Sequence, residues 1–245
     1  MIKLLRPTEE EFLKHKFEQR ELHKKENSLR DVILGGQDGL VNALGIILGV
    51  MVATADVKVL IATVIAATIA ESISMGAVAY TSALAQRDYY LSERAIESEE
   101  VDKFPEMEKE ELRRIYEEKG IKGKALEEII DVISSDKKIW LDVMMAEELQ
   151  IAPVNTKDVL KSSVIVTIAT AIGHIIPLIP FFFFDPGASL ITAIIISTIT
   201  LFAVGIYQAV TLVGSWWKSG LRMVLIGMGA AFAGFLIAKL FHAVI

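Results

Sequence analysis

The chain has 245 residues, of which 53% are hydrophobic, and its mean hydropathy of +0.47 lies well above that of an ordinary soluble domain. Cysteine is absent, which excludes disulfides and thiolate metal ligands. The formal net charge is −6, and no basic stretch is interleaved with aromatic residues, so nucleic acid is not expected as a partner. These properties predict an integral membrane protein in contact with a lipid bilayer.

Five apolar stretches are long enough for a helix to cross about 30 Å of hydrocarbon, which takes roughly 20 residues. They are Val32–Thr54, Val57–Ala85, Val159–Phe184, Ala188–Val213 and Leu221–Ile245. Because no strand pattern is present, the predicted fold is all-α, an integral membrane protein with five transmembrane helices and a helical cytosolic insert between helices 2 and 3. The predicted domains are an N-terminal cytosolic helix at 1–30, transmembrane helices 1 and 2 at 31–85, the insert at 86–158 and transmembrane helices 3 to 5 at 159–245.

The distribution of Lys and Arg predicts the orientation in the membrane. These residues are concentrated in residues 1–30, in the insert, and at Lys218 and Arg222, so all three regions are expected in the cytosol and the C-terminus on the far side. Residues 1–30 carry apolar side chains such as Phe12 and Phe17 among charges, which predicts a helix lying at the membrane surface. They have no apolar core of a signal peptide, so no cleavable leader is expected.

The insert holds most of the acidic residues of the chain, in spaced pairs. Two of these pairs are spaced three residues apart, which places both carboxylates of a pair on one side of a helix. Carboxylate oxygens suit Mg²⁺, Ca²⁺ or Mn²⁺, and methionine sulfur shifts the preference towards Fe²⁺ and its neighbours. Without Cys or His in the insert, a structural zinc site is not expected. The candidate metal ligands are Glu97, Glu100, Glu108, Glu111, Met144, Met145 and Glu148.

Spacing alone leaves a second interpretation of the insert open. Exposed helices rich in glutamate are ordinary, and the two methionines could be core residues of a small helical module. The acidic residues expected to be merely solvated are Glu99, Glu110, Glu117, Glu118, Glu127 and Glu128.

Two acidic residues lie inside the predicted spans. Asp38 stands among glycines with Asn42 one turn later, and Glu71 stands near the middle of the second span with Met75 one turn later. An ionisable residue at that depth is costly and is a functional hypothesis by default. The alternatives are that Asp38 caps a helix near the interface and that Met75 is apolar filling. His174 could titrate or bind a metal, but the preferred interpretation is a packed histidine bonded to a carbonyl that the nearby prolines leave free.

Three motifs in these regions resemble the vacuolar iron transporter family, which includes the yeast vacuolar iron and manganese importer and plant and prokaryotic relatives. They are Arg30-Asp31-Val32-Ile33-Leu34-Gly35-Gly36-Gln37-Asp38-Gly39-Leu40, Ile73-Ser74-Met75-Gly76 and Trp140-Leu141-Asp142-Val143-Met144-Met145-Ala146-Glu147-Glu148. The order of two spans, acidic insert and three spans is also similar. The resemblance extends from about residue 28 to the end.

The resemblance implies a homodimer with an ion path at the subunit interface and exchange of Fe²⁺ for protons, out of the cytosol. It assigns the seven insert residues as cytosolic metal ligands, and Asp38 and Met75 to the membrane path. Familiar members carry a membrane glutamate about two turns before the methionine, at the position of Ala67, whereas this chain has Glu71 one turn before it. The location would be the cell membrane in a prokaryote and the vacuole in a eukaryote.

The combined prediction is a proton-coupled antiporter of iron homeostasis, with Fe²⁺ as the first cargo, Mn²⁺ as the second, and Co²⁺ and Zn²⁺ as alternatives. Its transport path would contain Asp38, Glu71 and Met75. A membrane-tethered metal-binding or sensing protein without transport is the alternative, although a mere anchor would not need acidic residues within its spans. A di-iron oxidation enzyme is disfavoured because the Glu-x-x-His pairs of such bundles are absent.

Overall fold

The computed structural model describes the backbone of residues 9–54, 56–211 and 214–244, and among these the side chains of all but 9–27, 157 and 241–244. The predicted apolar face within residues 1–30 therefore lies outside the described side chains, apart from Ser28–Arg30. The helices in chain order are α1 Glu9–Ala53, α2 Val57–Lys103, α3 Pro105–Glu118, α4 Lys124–Ser134, α5 Lys137–Glu147, α6 Thr156–Leu178, a 3-10 turn at Ile179–Phe182, α7 Pro186–Thr211 and α8 Trp216–Val244.

The predicted all-α fold with five candidate membrane spans is confirmed. No strand occurs among the described residues, and five helices are long and apolar enough to cross a membrane. The candidate spans are Ser28–Ala53, the apolar part of α2, Asp158–Phe182, Pro186–Thr211 and Trp216–Leu240. The apolar part of α2 ends near Ala85, and the residues that follow, 86–103, are largely charged and polar, so the far end of this helix belongs to the insert.

Two helices begin well before the residue that the sequence predicted. The first span is the continuation of a single helix that begins at Glu9, so residues 9–30 do not form a separate helix. The last helix begins at Trp216, five residues before the predicted Leu221. Both differences have one cause: charged residues such as Lys218 and Arg222 end an apolar stretch, whereas the backbone hydrogen bonds of a helix continue through them because long cationic side chains reach the aqueous boundary.

The chain divides into two compact units. One unit comprises Tyr80–Val159 and contains the insert. The other, which we call the bundle, comprises the rest of the described chain. The core of the first unit is formed by apolar side chains from the end of α2 and from α3, α4 and α5. Its buried members are Val101, Leu112, Leu126, Ile130, Ile133, Trp140, Leu141 and Met144.

Within the bundle, α1 and α6 approach each other through glycines. A Cβ on Gly173 of α6 would lie 2.4 Å from the carbonyl oxygen of Gly36 and 2.8 Å from the backbone nitrogen of Leu40, both on α1. A Cβ on Gly39 would likewise lie 2.3 Å from the carbonyl oxygen of Thr170. Small residues at such crossings let helix backbones pack closely in a membrane, where no hydrophobic driving force operates between helices.

We expect Gly173→Ala to destabilise the bundle by about 1–3 kcal/mol, because the atoms in the way are backbone atoms that cannot rotate aside. The measurement is the thermal unfolding temperature of the protein in detergent. Gly229→Ala on α8 is the matched control, since among the described residues a Cβ added there would meet no heavy atom within 4 Å beyond the nearby backbone of its own helix, and alanine favours a helix. Equal unfolding temperatures for the two variants would contradict this close crossing.

Candidate metal-binding and transport site

Three glutamates of the insert converge because two helices present them to each other. Glu97 and Glu100 lie on α2, and Pro105 then begins α3 at a position where its missing N–H is tolerated. This places Glu108 of α3 opposite the α2 pair. One carboxylate oxygen from each of Glu97, Glu100 and Glu108 lies within 4.8 Å of the other two, and these three oxygens could contact one cation.

Two further glutamates belong to the same group. Glu111 lies three residues after Glu108 on α3, and Glu148 follows the last residue of α5. Burial raises the pKa of Glu148 to about 7, and the negative charges of Glu111, Glu108 and Glu100 act in the same direction. The structure therefore brings together all five glutamates that the sequence singled out in the insert.

The electrostatics of the group are unfavourable without a cation. Burial raises the pKa of Glu97 to about 8, with a hydrogen bond to Glu108 and the charges of Glu148, Glu108 and Glu100 as further causes. Burial also raises the pKa of Glu108 from its ordinary value, against the lowering effect of its hydrogen bond with Glu97. Glu97 Oε1 and Glu108 Oε2 are buried with no hydrogen-bond partner among the described residues, an arrangement that is expensive for carboxylates.

Ion pairing distinguishes this group from most of the other acidic residues of the insert. Nine of the other fifteen each have a lysine or arginine within 4 Å: Asp88, Glu99, Asp102, Glu106, Glu110, Glu127, Glu128, Asp142 and Glu147. Within the described part of the chain, no lysine, arginine or histidine pairs with the five grouped glutamates. We call these five, Glu97, Glu100, Glu108, Glu111 and Glu148, the unpaired cluster. A divalent cation would supply the positive charge that the protein does not.

The two methionines lie beside this cluster in sequence but are deeply buried. Met144 is fully buried and belongs to the apolar core of the insert. Met145 is 1% exposed and lines a cavity with Tyr90, Asp142 and Gln150. Their packing supports the core-residue interpretation for Met144, and their role as sulfur ligands stays a prediction.

A second polar group lies in the bundle, where α1, α2 and α6 meet. The Glu71 carboxylate on α2 accepts a hydrogen bond from the Asn42 side chain on α1. Glu71 Oε2 also lies 3.0 Å from Nε2 of His174 on α6. The Asp38 carboxylate on α1 interacts electrostatically with both Glu71 and His174. We call Asp38, Asn42, Glu71 and His174 the membrane cluster.

Comparison with known proteins decides the family. A model of the VIT family matches residues 29–239. The chain belongs to the VIT family. Vacuolar iron transporter 1 of Eucalyptus grandis is 31% identical over 212 residues, covering 86% of this chain and 85% of that protein. Vacuolar iron transporter 1 of Arabidopsis thaliana is 31% identical over 214 residues, with coverage of 86% and 85%. The vacuolar iron transporter of Plasmodium falciparum is 30% identical over 221 residues, with coverage of 86% and 81%.

The resemblance inferred from the three motifs is thus confirmed, and this VIT-family chain is a multi-pass membrane protein. Its motif Ser74-Met75-Gly76 has a visible packing role. A Cβ on Gly76 would lie 1.9 Å from Thr167 Oγ1, and the Ser163 hydroxyl donates to the carbonyl oxygen of Gly76 at 2.7 Å. Gly76 therefore allows α2 to pack directly against α6. Met75 immediately precedes this contact, and Glu71 lies about one turn before Met75.

His174 is the residue that the sequence interpretation undervalued in this VIT-family chain. It does bond to a carbonyl, that of Thr170, but this carbonyl lies four residues before His174 and is not one that Pro177 leaves free. Its partnership with Glu71 was not predicted, because the two residues are 103 positions apart. The sequence does show a lone histidine within an apolar span. Because burying a polar ring in a membrane is costly, His174 is a candidate functional residue for the same reason as Asp38.

Proposed function

We propose that this VIT-family protein transports a divalent transition metal out of the cytosol in exchange for protons, with Fe²⁺ as the first cargo and Mn²⁺ as the second. The observation that carries the proposal is the unpaired cluster. Five clustered glutamates with no cationic partner among the described side chains, beside nine acidic residues that have one, favour a binding site for a cation over a solvated surface. The relatives named vacuolar iron transporters support iron as the cargo.

The membrane cluster supports transport over mere binding. A protein that only tethers a metal-binding module has no need of Asp38 and Glu71 within its spans, where ionisable groups are costly. A cation that crosses the membrane does need carboxylates within the spans, because their oxygens replace part of its hydration shell. The carboxylates also provide the proton side of the exchange, because a carboxylate that releases a metal ion can take up a proton instead.

The exposure of the membrane cluster in a single chain supports a homodimer. Asp38 and Asn42 are exposed in the single chain, and polar side chains at membrane depth have to face protein or water. A second copy that covers this face would place the path between the subunits. The cationic residues at the N-terminus and in the insert favour a cytosolic insert, so the unpaired cluster would receive metal on the cytosolic side.

The direct test is metal flux into proteoliposomes that contain the purified full-length protein. We expect Fe²⁺ uptake that is stimulated by a pH gradient, acid inside, with Mn²⁺ carried more slowly and protons leaving as metal enters. Protein-free liposomes give the background rate. Metal binding without flux above that background would favour the membrane-tethered sensor and overturn the proposed function. Flux that ignores the pH gradient would overturn the proton exchange alone.

A further inference from the structure

His174 has the environment of a metal-binding histidine. Its ring is fully buried, and Nδ1 lies 3.1 Å from the carbonyl oxygen of Thr170. Because a carbonyl oxygen only accepts hydrogen bonds, Nδ1 carries the hydrogen of this bond. The other nitrogen, Nε2, is thereby directed at Glu71. Metal-binding histidines typically donate one ring N–H to a carbonyl or carboxylate, which fixes the tautomer and the ring orientation and leaves the other nitrogen for the metal.

The distance between the two candidate ligand atoms also fits. Nε2 of His174 and Oε2 of Glu71 are 3.0 Å apart. Two donors at about 2.1 Å from a metal ion and at right angles to each other lie about 3.0 Å apart, whereas a tetrahedral angle would require about 3.4 Å. The separation therefore matches neighbouring positions of an octahedral ion, the geometry that Mn²⁺ with oxygen ligands prefers.

A second carboxylate lies near this pair, and an ion could reach it. Asp38 interacts electrostatically with both Glu71 and His174, and the Asn42 amide nitrogen donates a hydrogen bond to Glu71 Oε2. The Glu71 side chain is 20% exposed, and Asp38 and Asn42 are exposed, so the cluster opens at the face of the bundle with His174 at its inner end. The close approach at Gly39, where an added Cβ would lie 2.8 Å from His174 Nδ1, holds the ring against α1.

We propose that Glu71 and His174 form a nitrogen-and-oxygen binding site for the transported divalent cation inside the bundle, with Asp38 as a further oxygen ligand. This site rests on the proposed function, whose cargo it binds. Without metal, the hydrogen bond between Nε2 and Oε2 requires one proton between them, and a cation bound by both atoms takes the place of that proton. The site differs from the unpaired cluster in chemistry, since the insert offers no imidazole nitrogen.

The scarcity of histidine makes a spectroscopic test decisive. The chain has four histidines, His15, His23, His174 and His242, and none lies in the insert. Full-length protein carrying Glu97→Gln, Glu108→Gln and Glu148→Gln, which removes insert binding, is loaded with one equivalent of Mn²⁺. Pulsed electron paramagnetic resonance then reports whether a nitrogen is bonded to the metal. We expect a nitrogen hyperfine coupling typical of imidazole, and at least about tenfold weaker Mn²⁺ binding when His174→Gln is added.

The control protein keeps His174 and replaces His15, His23 and His242 by Gln, and it is expected to retain the coupling. Should His174→Gln fail to fold, Glu71→Gln provides the second variant, since it leaves the bond between His174 and Thr170 in place and is expected to weaken Mn²⁺ binding and remove the coupling. A coupling that is absent from the first protein, or that persists in His174→Gln, overturns this site. If the unmodified protein transports metal but the nitrogen coupling gives either of these results, the proposed function stands and only this site is overturned. If the unmodified protein also shows no flux, both the site and the proposed function are overturned.

Discussion

Replacing Asp38 by Asn is expected to reduce Fe²⁺ flux to that of protein-free liposomes while the full-length protein still binds metal at the insert. The substitution keeps the size of the side chain and removes its charge. Asp38 is the member of the membrane cluster that interacts with both Glu71 and His174 from the facing helix α1. Neutralising it removes part of the charge that offsets the dehydration of a cation at membrane depth, where the surroundings provide little compensation.

The matched control is Asp56→Asn, the same chemical change in the turn between α1 and α2. Asp56 accepts a hydrogen bond from the backbone nitrogen of Lys58 at 2.8 Å and so caps α2, and Asn serves equally well at such a position. Initial flux rates and equilibrium metal binding are measured on both variants. Transport by Asp38→Asn at the rate of the unmodified protein would show that the path does not pass this residue.

Metal binding at the insert is expected to weaken steeply as the pH falls from about 8 to about 6. The pKa of Glu97 is raised to about 8 and that of Glu148 to about 7. A metal ion binds the ionised carboxylates, so over this range it has to displace protons. Each displaced proton changes the affinity by about tenfold per pH unit. Calorimetric titration of the full-length protein at several pH values measures the slope.

The stability of the metal-free protein should have the opposite dependence on pH. A carboxylate whose folded pKa lies above its unfolded value binds more protons in the folded state, so stability is greatest below the unfolded pKa and falls as the pH rises through the folded pKa. For Glu97 the window runs from its ordinary 4.5 to about 8. Saturating metal should therefore raise the unfolding temperature of the insert more at pH 8 than at pH 6.

Glu97→Gln isolates the contribution of one group to both effects. We expect it to weaken metal binding at pH 8, to flatten the pH dependence and to raise the unfolding temperature of the metal-free protein at that pH. Glu99→Gln is its control, since Glu99 lies two residues away on α2, is exposed and pairs with Lys103. Equal pH slopes for the two variants would contradict the assignment of Glu97 to a metal site.

Local sequence was enough to predict the helices, the five candidate spans and the family. Helix length, apolar runs and the start of α3 at Pro105 depend on neighbours within a few residues, so they can be predicted without knowing the fold. The spacing of three between Glu97 and Glu100 likewise places both carboxylates on one side of α2. The motif around Asp38 and the motif at Met75 carried the family resemblance, which the comparisons confirmed.

Which acidic residues stand without a cationic partner depends on the packed fold. Arg94 pairs with Asp142 across 48 positions, and Lys137 pairs with Asp102 across 35, so the local sequence could not separate these acids from the unpaired cluster. The contact between Glu71 and His174 depends on the close approach of α1, α2 and α6 at their glycines, which only the packed bundle reveals. Charge compensation acts through space, and for that reason the sequence shows which groups are present but not which of them meet.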